Sequence, residues 1–114
     1  MITKYETYRE LSASQITADA LLILSARNAF AWRQVNTSVR RRKGIVKRGV
    51  SDILFFNKST GLMGACEVKK IGDVLSDEQI DFLTELHNAG GITMVATQRK
   101  DKTVLIDFKE YHKD

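Results

Sequence analysis

The stretch Ser51-Asp52-Ile53-Leu54-Phe55-Phe56, followed by turn residues 57–61 and then by Leu62 to Lys69, decides the architecture of this chain. Two apolar runs around an Asn-Lys-Ser-Thr-Gly turn predict a β-hairpin with a four- or five-residue loop. A register centred on that turn places Asp52 directly opposite Glu67, with Cβ atoms roughly 4.5–5.5 Å apart. Like charges so close destabilise a sheet, and a divalent metal relieves them best because hard cations bind carboxylate oxygens.

Lys69 is the third member of this group. It follows Glu67 by two residues, so strand alternation brings both to one face. Two acids and an ammonium at one point predict a site of metal-assisted hydrolysis. The plainer alternative makes Glu67 and Lys69 an ordinary exposed pair on a strand. Cys66 alternates away from this face, which predicts a core residue.

Length and composition limit the classes of protein to which this chain can belong. A chain of 114 residues predicts one domain, spanning residues 1–114. An apolar content of 43% and a charged content of 28% are typical of a soluble globular protein. No apolar run approaches the roughly 18–20 residues of a membrane span, and no signal-peptide pattern begins the chain. The single cysteine suits a reducing cytosol, so we expect a cytoplasmic protein with no membrane partner.

Clustered positive charge points to a polyanionic partner. The net charge is +4, and six cations fall within nine residues without an acid between them: Arg40, Arg41, Arg42, Lys43, Lys47 and Arg48. Such clusters neutralise phosphates and release counterions, so they predict a nucleic-acid contact surface. A solvated basic loop is the alternative. Arg33, on a predicted strand, is equally consistent with a phosphate contact and with an edge-strand cation.

The remaining patterns give the order of elements as α-β-(β)-β-β-α-β, followed by a tail that fits a strand or a helix. The predicted segments are a helix over Ile16–Ala26 capped by Ser14 or Thr17, a strand over Ala29–Val35, an optional edge strand at 39–46, the hairpin, a helix from the capping box Ser76–Gln79 to Gly90-Gly91, and a strand over Ile92–Ala96. Both faces of the hairpin are apolar, so helices must cover both sides. The fold class is α/β (α+β), with a mixed sheet between helices.

These motifs together resemble a known family. Gly49-Val50-Ser51-Asp52-Ile53, Glu67-Val68-Lys69, Ser76-Asp77-Glu78-Gln79 and Gly90-Gly91 are similar to the motifs of the PD-(D/E)xK nucleases, which have a restriction-endonuclease-like core. They resemble more narrowly the virus-type replication-repair nuclease (VRR-NUC) branch, and the Trp32-Arg33 strand fits that branch too. The resemblance covers roughly residues 14–100. Four separated motifs in the expected order make it much more specific than a lone D…ExK triplet.

The resemblance implies a role for each matching residue. Asp52, Glu67 and the backbone carbonyl of Val68 would bind Mg²⁺, with Mn²⁺ as a substitute. Lys69 would orient or help deprotonate the attacking water, and Gln79 would point toward the site. Small phage and bacterial members of the branch resemble Holliday junction resolvases, which act as homodimers. The implied function is a structure-selective DNA endonuclease of replication, recombination or repair, in a bacterial or phage-infected cell.

Two departures from the family pattern keep other interpretations open. Ser51 stands in place of the proline, which is a mild change because only the aspartate does chemistry. The usual glutamate of the first helix is missing, and Asp19 sits at about its place, either completing the site or serving as a first-turn acid. Gln79 is likewise consistent with a purely structural capping box. The alternative functions are a non-catalytic DNA-binding module and a nuclease subunit requiring a partner. For a dimer, the sequence leaves two candidate surfaces, the first strand and the tail at 101–114.

Overall fold

The computed structural model of the chain describes residues 8–34 and 49–113. Its elements are α1 (Ala13–Ala26), β1 (Ala29–Arg33), β2 (Ile53–Asn57), β3 (Met63–Val68), α2 (Asp77–Asn88), β4 (Ile92–Arg99), β5 (Lys102–Asp107) and α3 (Phe108–Tyr111). The five strands form one sheet in the order β1-β2-β3-β4-β5. Only the β3–β4 pair is parallel, and α2 makes that crossover. The optional strand at 39–46 and the six clustered cations lie outside the described residues.

The central hairpin has the register predicted from its turn. Ile53 pairs with Cys66 and Leu54 with Ala65. One further step in this register sets Asp52, the residue before β2, opposite Glu67. The Asn57 side chain organises the turn by accepting hydrogen bonds from the backbone N–H groups of residues 59 and 60 at 2.9 and 3.0 Å. In this register Glu67 lies on the face of the sheet that also carries Leu54, whereas Asp52 stands at the end of the hairpin and also lines a cavity against α1.

Helices pack on both faces of the sheet, as predicted, and each encloses its own apolar cluster. Helix α1 covers one face, where Ile16, Ala20 and Leu24 pack with Ile53, Phe55 and Cys66. Helices α2 and α3 cover the other, where Leu83 and Phe108 pack with Ala65, Val95 and Ile106. Each cluster is enclosed between a helix layer and the sheet, so the strands are packed on both faces.

The expectation that the hairpin is buried on both of its apolar faces fails at two residues. Phe56 and Met63 remain 38% and 39% exposed. Helix α2 packs over β3 and β4, toward the middle of the sheet. The α2 face of β1 and β2 is therefore only partly covered.

The first helix begins earlier than predicted, while its end and the start of α2 follow the sequence signals. The hydroxyl of Ser12, not Ser14 or Thr17, caps α1 by accepting from the N–H of Gln15 at 3.1 Å. Thr17 is instead buried and donates back to the carbonyl of Ala13. Asn28 ends the helix with a φ of +67°. Helix α2 has the full capping box between Ser76 and Gln79.

The tail takes both of its predicted forms in succession. Strand β5 runs to Asp107, and the carboxylate of Asp107 then caps the short helix α3 by accepting from the N–H of Lys109 at 2.7 Å. Phe108 is buried beneath this helix with 1% exposure. Within the described ranges, no helix combines the length and apolar character needed to cross a membrane.

Gln98 anchors the segment that precedes α1. Its side chain is 5% exposed and accepts from the N–H of Leu11 at 2.7 Å. The amide nitrogen donates to the carbonyls of Arg9 and Lys100 at 2.8 and 2.7 Å. Three hydrogen bonds satisfy a buried amide that would otherwise be costly to desolvate. They tie residues 9–11 to the end of β4.

Candidate active site

Asp52 is held from both neighbouring strands. It lies just before β2, and its Oδ2 accepts from the backbone N–H of Val68 at 2.9 Å. Its own carbonyl accepts from the N–H of Gln34 at 2.7 Å, which continues the pairing with β1. Main-chain donors do not rotate as side chains do. The carboxylate is therefore fixed at the end of the β2–β3 hairpin.

Glu67 is a buried carboxylate that lacks a complete set of partners. It is only 1% exposed, and its Oε2 makes no hydrogen bond in the described part of the chain. Burial raises the pKa of Glu67 to about 9, with further contributions from a hydrogen bond to the Asp52 carboxyl and from its charge. An unpaired buried polar atom costs about 1–3 kcal/mol. A cation at this point would satisfy the free oxygen and favour the ionised form.

The two carboxylates suit Mg²⁺, which needs few protein ligands, better than a metal that is coordinated entirely by protein side chains. In residues 8–34 and 49–113, no group of three or more His, Cys, Asp or Glu side chains gathers in a way that could hold a metal. Mg²⁺ commonly uses one or two carboxylates and takes its remaining oxygens from water and substrate phosphates. Asp52 and Glu67 are sufficient for that arrangement. The carbonyl of Val68 stays a predicted ligand.

Lys69 lies at the same end of the hairpin. Its backbone N–H donates to the carbonyl of Ala96 at 2.9 Å, which extends the β3–β4 pairing by one step. Its side chain is half-buried, and its positive charge opposes the rise in the pKa of Glu67. The next residue, Lys70, is exposed and lies 3.8 Å from Glu10 in a surface ion pair. The structure thus brings Asp52, Glu67 and Lys69 together and leaves Lys70 outside the group.

The start of α2 is held against the segment that leads into Asp52. Gly49 has a φ of +81°, and a Cβ on it would lie 2.2 Å from the carbonyl oxygen of Glu78. Gln79 is half-buried, and its Oε1 accepts from the N–H of Ser76 at 2.9 Å. The capping-box interpretation of Gln79 is therefore confirmed. A role for this side chain toward the metal site stays a prediction.

Asp19 does not join the carboxylate pair, which corrects the expectation that it completes the site. One of its oxygens accepts from Thr103 Oγ1 at 2.7 Å, and the other accepts from Gln15 Nε2 at 2.9 Å. These partners place Asp19 toward β5, where it lines a cavity with Ser12 and Leu22. The reason is helical geometry. Residue 19 lies about 200° around α1 from residue 17, which faces Asp52.

The part of α1 that does face the site carries hydroxyl groups. Ala13, Ser14 and Thr17 line a cavity of about 200 Å³ together with Arg33, Asp52 and Val68. The sequence analysis missed Ser14 and Thr17 because it used them as caps and started the helix too late. The Ser12-x-x-Gln15 pattern was the local signal for the earlier start. Arg33 lines the same cavity as Asp52, and its contact with DNA stays a prediction.

The fold and the site together define a class of protein. A mixed five-stranded sheet between helices, with an aspartate before one central strand and Glu-x-Lys at the end of the next, is the arrangement of the PD-(D/E)xK restriction-endonuclease-like proteins. Within this class, the chain belongs to the VRR-NUC domain family, whose model matches residues 3–100.

Comparison with solved structures gives a consistent result for the fold. The chain is similar to Hjc, a Holliday junction resolvase from the archaeal hyperthermophile Archaeoglobus fulgidus, with a TM-score of 0.57 and 21% sequence identity. The match covers 83% of this chain and 75% of the resolvase. A search of curated proteins found no match.

Proposed function

We propose that this chain is a metal-dependent DNA endonuclease that cuts branched DNA as a homodimer. The observation that carries the proposal is the buried Glu67 carboxylate, which has an unpaired oxygen, sits opposite Asp52 and lies beside Lys69. Membership of the VRR-NUC family supports nuclease chemistry. The similarity to a protein described as a Holliday junction resolvase supports branched DNA as the substrate.

In this proposal, Asp52, Glu67 and the carbonyl of Val68 hold Mg²⁺, and Mn²⁺ substitutes. An ion held there would supply Lewis-acid polarisation of the phosphodiester and activation of a water for attack. Lys69 orients the attacking water and offsets negative charge as it develops on the phosphate. The hydrogen bond from Val68 N–H to Asp52 keeps that carboxylate in place before DNA arrives, so little reorganisation is needed.

The DNA backbone would enter on the α1 side of the carboxylates. The cavity beside Asp52 combines the hydroxyl of Ser14, the guanidinium of Arg33 and the first turn of α1, all of which attract phosphate. The six clustered cations of residues 40–48 follow Arg33 in the chain and end just before Gly49. They would extend the phosphate contacts outward and make binding strongly dependent on salt concentration.

Branched DNA explains why a chain with one site would act as a pair. Resolving a junction symmetrically requires cuts in two strands, and a twofold homodimer supplies two equivalent sites. Such an activity belongs to replication, recombination or repair. We place it in the cytoplasm of a bacterial or phage-infected cell.

The test is a cleavage panel with labelled four-way junctions, flaps and linear duplexes in the presence of Mg²⁺. We expect paired nicks in the junction and much slower cutting of linear duplex. Asp52→Asn and Lys69→Ala should each lower the cleavage rate by at least a hundredfold, while the surface variant Lys70→Ala should cut at the wild-type rate. Absence of product from every substrate, or unchanged cleavage by Asp52→Asn, contradicts the proposal.

One observation favours a second candidate, a DNA-binding module without catalysis. Asp19 is turned toward Thr103, so the described residues supply two carboxylates to the site and not three. This alternative predicts salt-dependent junction binding with no product and no metal requirement. Calorimetric titration with Mn²⁺ separates the two. Binding heat that is lost in Asp52→Asn supports the enzyme, whereas no heat in the wild type supports the binding module.

A further inference from the structure

Three aromatic side chains form an exposed cluster on β1 and β2, which we call the aromatic face. The rings of Phe30 and Phe56 stack with centroids 5.1 Å apart. Trp32 lies 6.2 Å from Phe30 and 6.5 Å from Phe56. Phe30 is 54% exposed, Trp32 36% and Phe56 38%. These rings contact one another, yet none of them is enclosed.

The aromatic face lies on the same side of the sheet as Glu67. Phe30 pairs with Phe56, and Trp32 pairs with Leu54, the residue two places after Asp52. Leu54 in turn pairs with Ala65, so strand alternation continues one face from the three rings to Glu67, two residues after Ala65. Helix α2 lies over the middle of the sheet, on β3 and β4. The α2 side of β1 and β2 is thus an apolar surface that borders the site.

The area of this surface is suited to a protein partner. An aromatic side chain presents roughly 150–250 Å² when free, so the exposed fractions leave roughly 250 Å² on the three rings. Met63, which pairs with Phe56 and is 39% exposed, raises the apolar area to roughly 300 Å². A stable interface buries about 800 Å² on each partner, with an apolar centre and a polar rim. The aromatic face matches the centre of such an interface.

Charge around the aromatic face argues for a second copy of the chain and against DNA. Helix α2, which flanks the face, carries four acids and no Lys or Arg: Asp77, Glu78, Asp81 and Glu85. A DNA backbone laid across the rings would meet these carboxylates. At the turn end of β2, the exposed cation Lys58 follows Phe56 by two residues. In a twofold pairing, Lys58 of each copy would meet the acidic helix of the other.

We propose that the aromatic face is the surface through which two copies of this chain pair. The pairing is isologous, with Phe30, Trp32 and Phe56 of each copy at the centre and the acidic helix and Lys58 at the rim. Of the two surfaces left open by the sequence, it selects the first strand, whereas Phe108 in the tail is already buried within its own chain. The pairing itself does not depend on the proposed function. Only its purpose, which is to set two metal sites beside one interface, rests on that function.

Trp32 makes the test direct, since it is the only tryptophan in the chain. Mass would be measured by light scattering and sedimentation without DNA or metal, so that failure of catalysis does not affect the result. We expect twice the chain mass of 12.9 kDa at micromolar concentration. On dilution, the mass should fall, and tryptophan emission should shift to the red with the same midpoint.

Two substitutions locate the interface. Phe30→Glu and Phe56→Glu change exposed rings, and each should weaken association by at least tenfold while leaving circular dichroism unchanged. Leu22→Glu is the control, because Leu22 is 71% exposed on α1, which packs on the opposite face of the sheet. A wild-type mass of one chain overturns the proposal, as does full dimerisation of both Phe variants. Variants that stay dimeric but lose junction binding would instead assign the aromatic face to DNA bases.

Discussion

The backbone N–H of Val68 donates a 2.9 Å hydrogen bond to Oδ2 of Asp52, linking the end of β3 to the residue before β2. This contact joins two parts of the Asp…Glu-x-Lys motif directly, since Val68 lies between Glu67 and Lys69. It also orients Asp52 through a main-chain donor. Because the raised pKa of Glu67 keeps that acid protonated at neutral pH without metal, its hydrogen bond to the Asp52 carboxyl lets the two acids stay adjacent.

Asp52→Asn separates the structural role of this residue from its chemical one. The amide oxygen of asparagine can still accept from Val68 N–H, so we expect a folded protein with a melting temperature close to wild type. Loss of the negative charge should remove Mn²⁺ binding and lower cleavage at least a hundredfold. Calorimetry and cleavage assays measure both effects. Asp101→Asn, an exposed acid in the turn between β4 and β5, is the matched control and should change neither.

The raised pKa of Glu67 predicts how stability depends on pH in the absence of metal. Between pH 4.5 and about 9 the unfolded chain has lost the Glu67 proton while the folded chain retains it. The folded state then binds more protons, so this residue makes the free energy of unfolding fall as pH rises through that window. Glu67→Gln should stabilise the metal-free protein at pH 8, by up to about 5 kcal/mol if the full pKa shift is realised.

Urea unfolding at pH 5 and pH 8 would measure this effect of Glu67. The difference between wild type and Glu67→Gln should be small at pH 5 and larger at pH 8. Added Mn²⁺ should restore stability to the wild type at pH 8 and leave the variant unaffected, because metal binding displaces the proton. A constant difference at both pH values would mean that Glu67 ionises normally in the folded protein.

Gly49→Ala tests whether the first turn of α2 must sit beside the Asp52 segment. A Cβ at Gly49 would lie 2.2 Å from the carbonyl oxygen of Glu78, and the φ of +81° adds backbone strain. We expect a loss of about 2–4 kcal/mol in stability, together with slower cleavage. Gly61→Ala is a suitable control, because its φ is +76° but no atom lies within 4 Å of the added methyl. It should cost only about 1 kcal/mol.

Gln98→Leu should release the segment before α1. The substitution removes three hydrogen bonds, one of them from the N–H of Leu11 and another to the carbonyl of Arg9. We expect a loss of about 1–3 kcal/mol and faster hydrogen exchange at the Leu11 amide. Gln15→Leu, at an exposed position on α1, should leave that amide protected. Unchanged exchange in Gln98→Leu would show that other contacts hold residues 9–11.

Local signals in the sequence were enough for the hairpin, its register and the capping box of α2. A turn of five polar residues sets which residues face each other, and side chains alternate with a period of two. Asp52, Glu67 and Lys69 were therefore predicted on one face before any tertiary contact was known. The capping box works within one helical turn, so Ser76 and Gln79 also needed no distant partner.

Only the tertiary structure decided what α1 contributes to the site and which part of the sheet stays uncovered. The helix is capped by Ser12 and not by Ser14. This placement turns Thr17 toward Asp52 and Asp19 toward Thr103. The exposure of Phe30, Trp32 and Phe56 depends on where α2 lies across the sheet, which no local pattern records. Turns and caps are short-range, whereas the packing of a helix on a sheet depends on contacts between residues far apart in the chain.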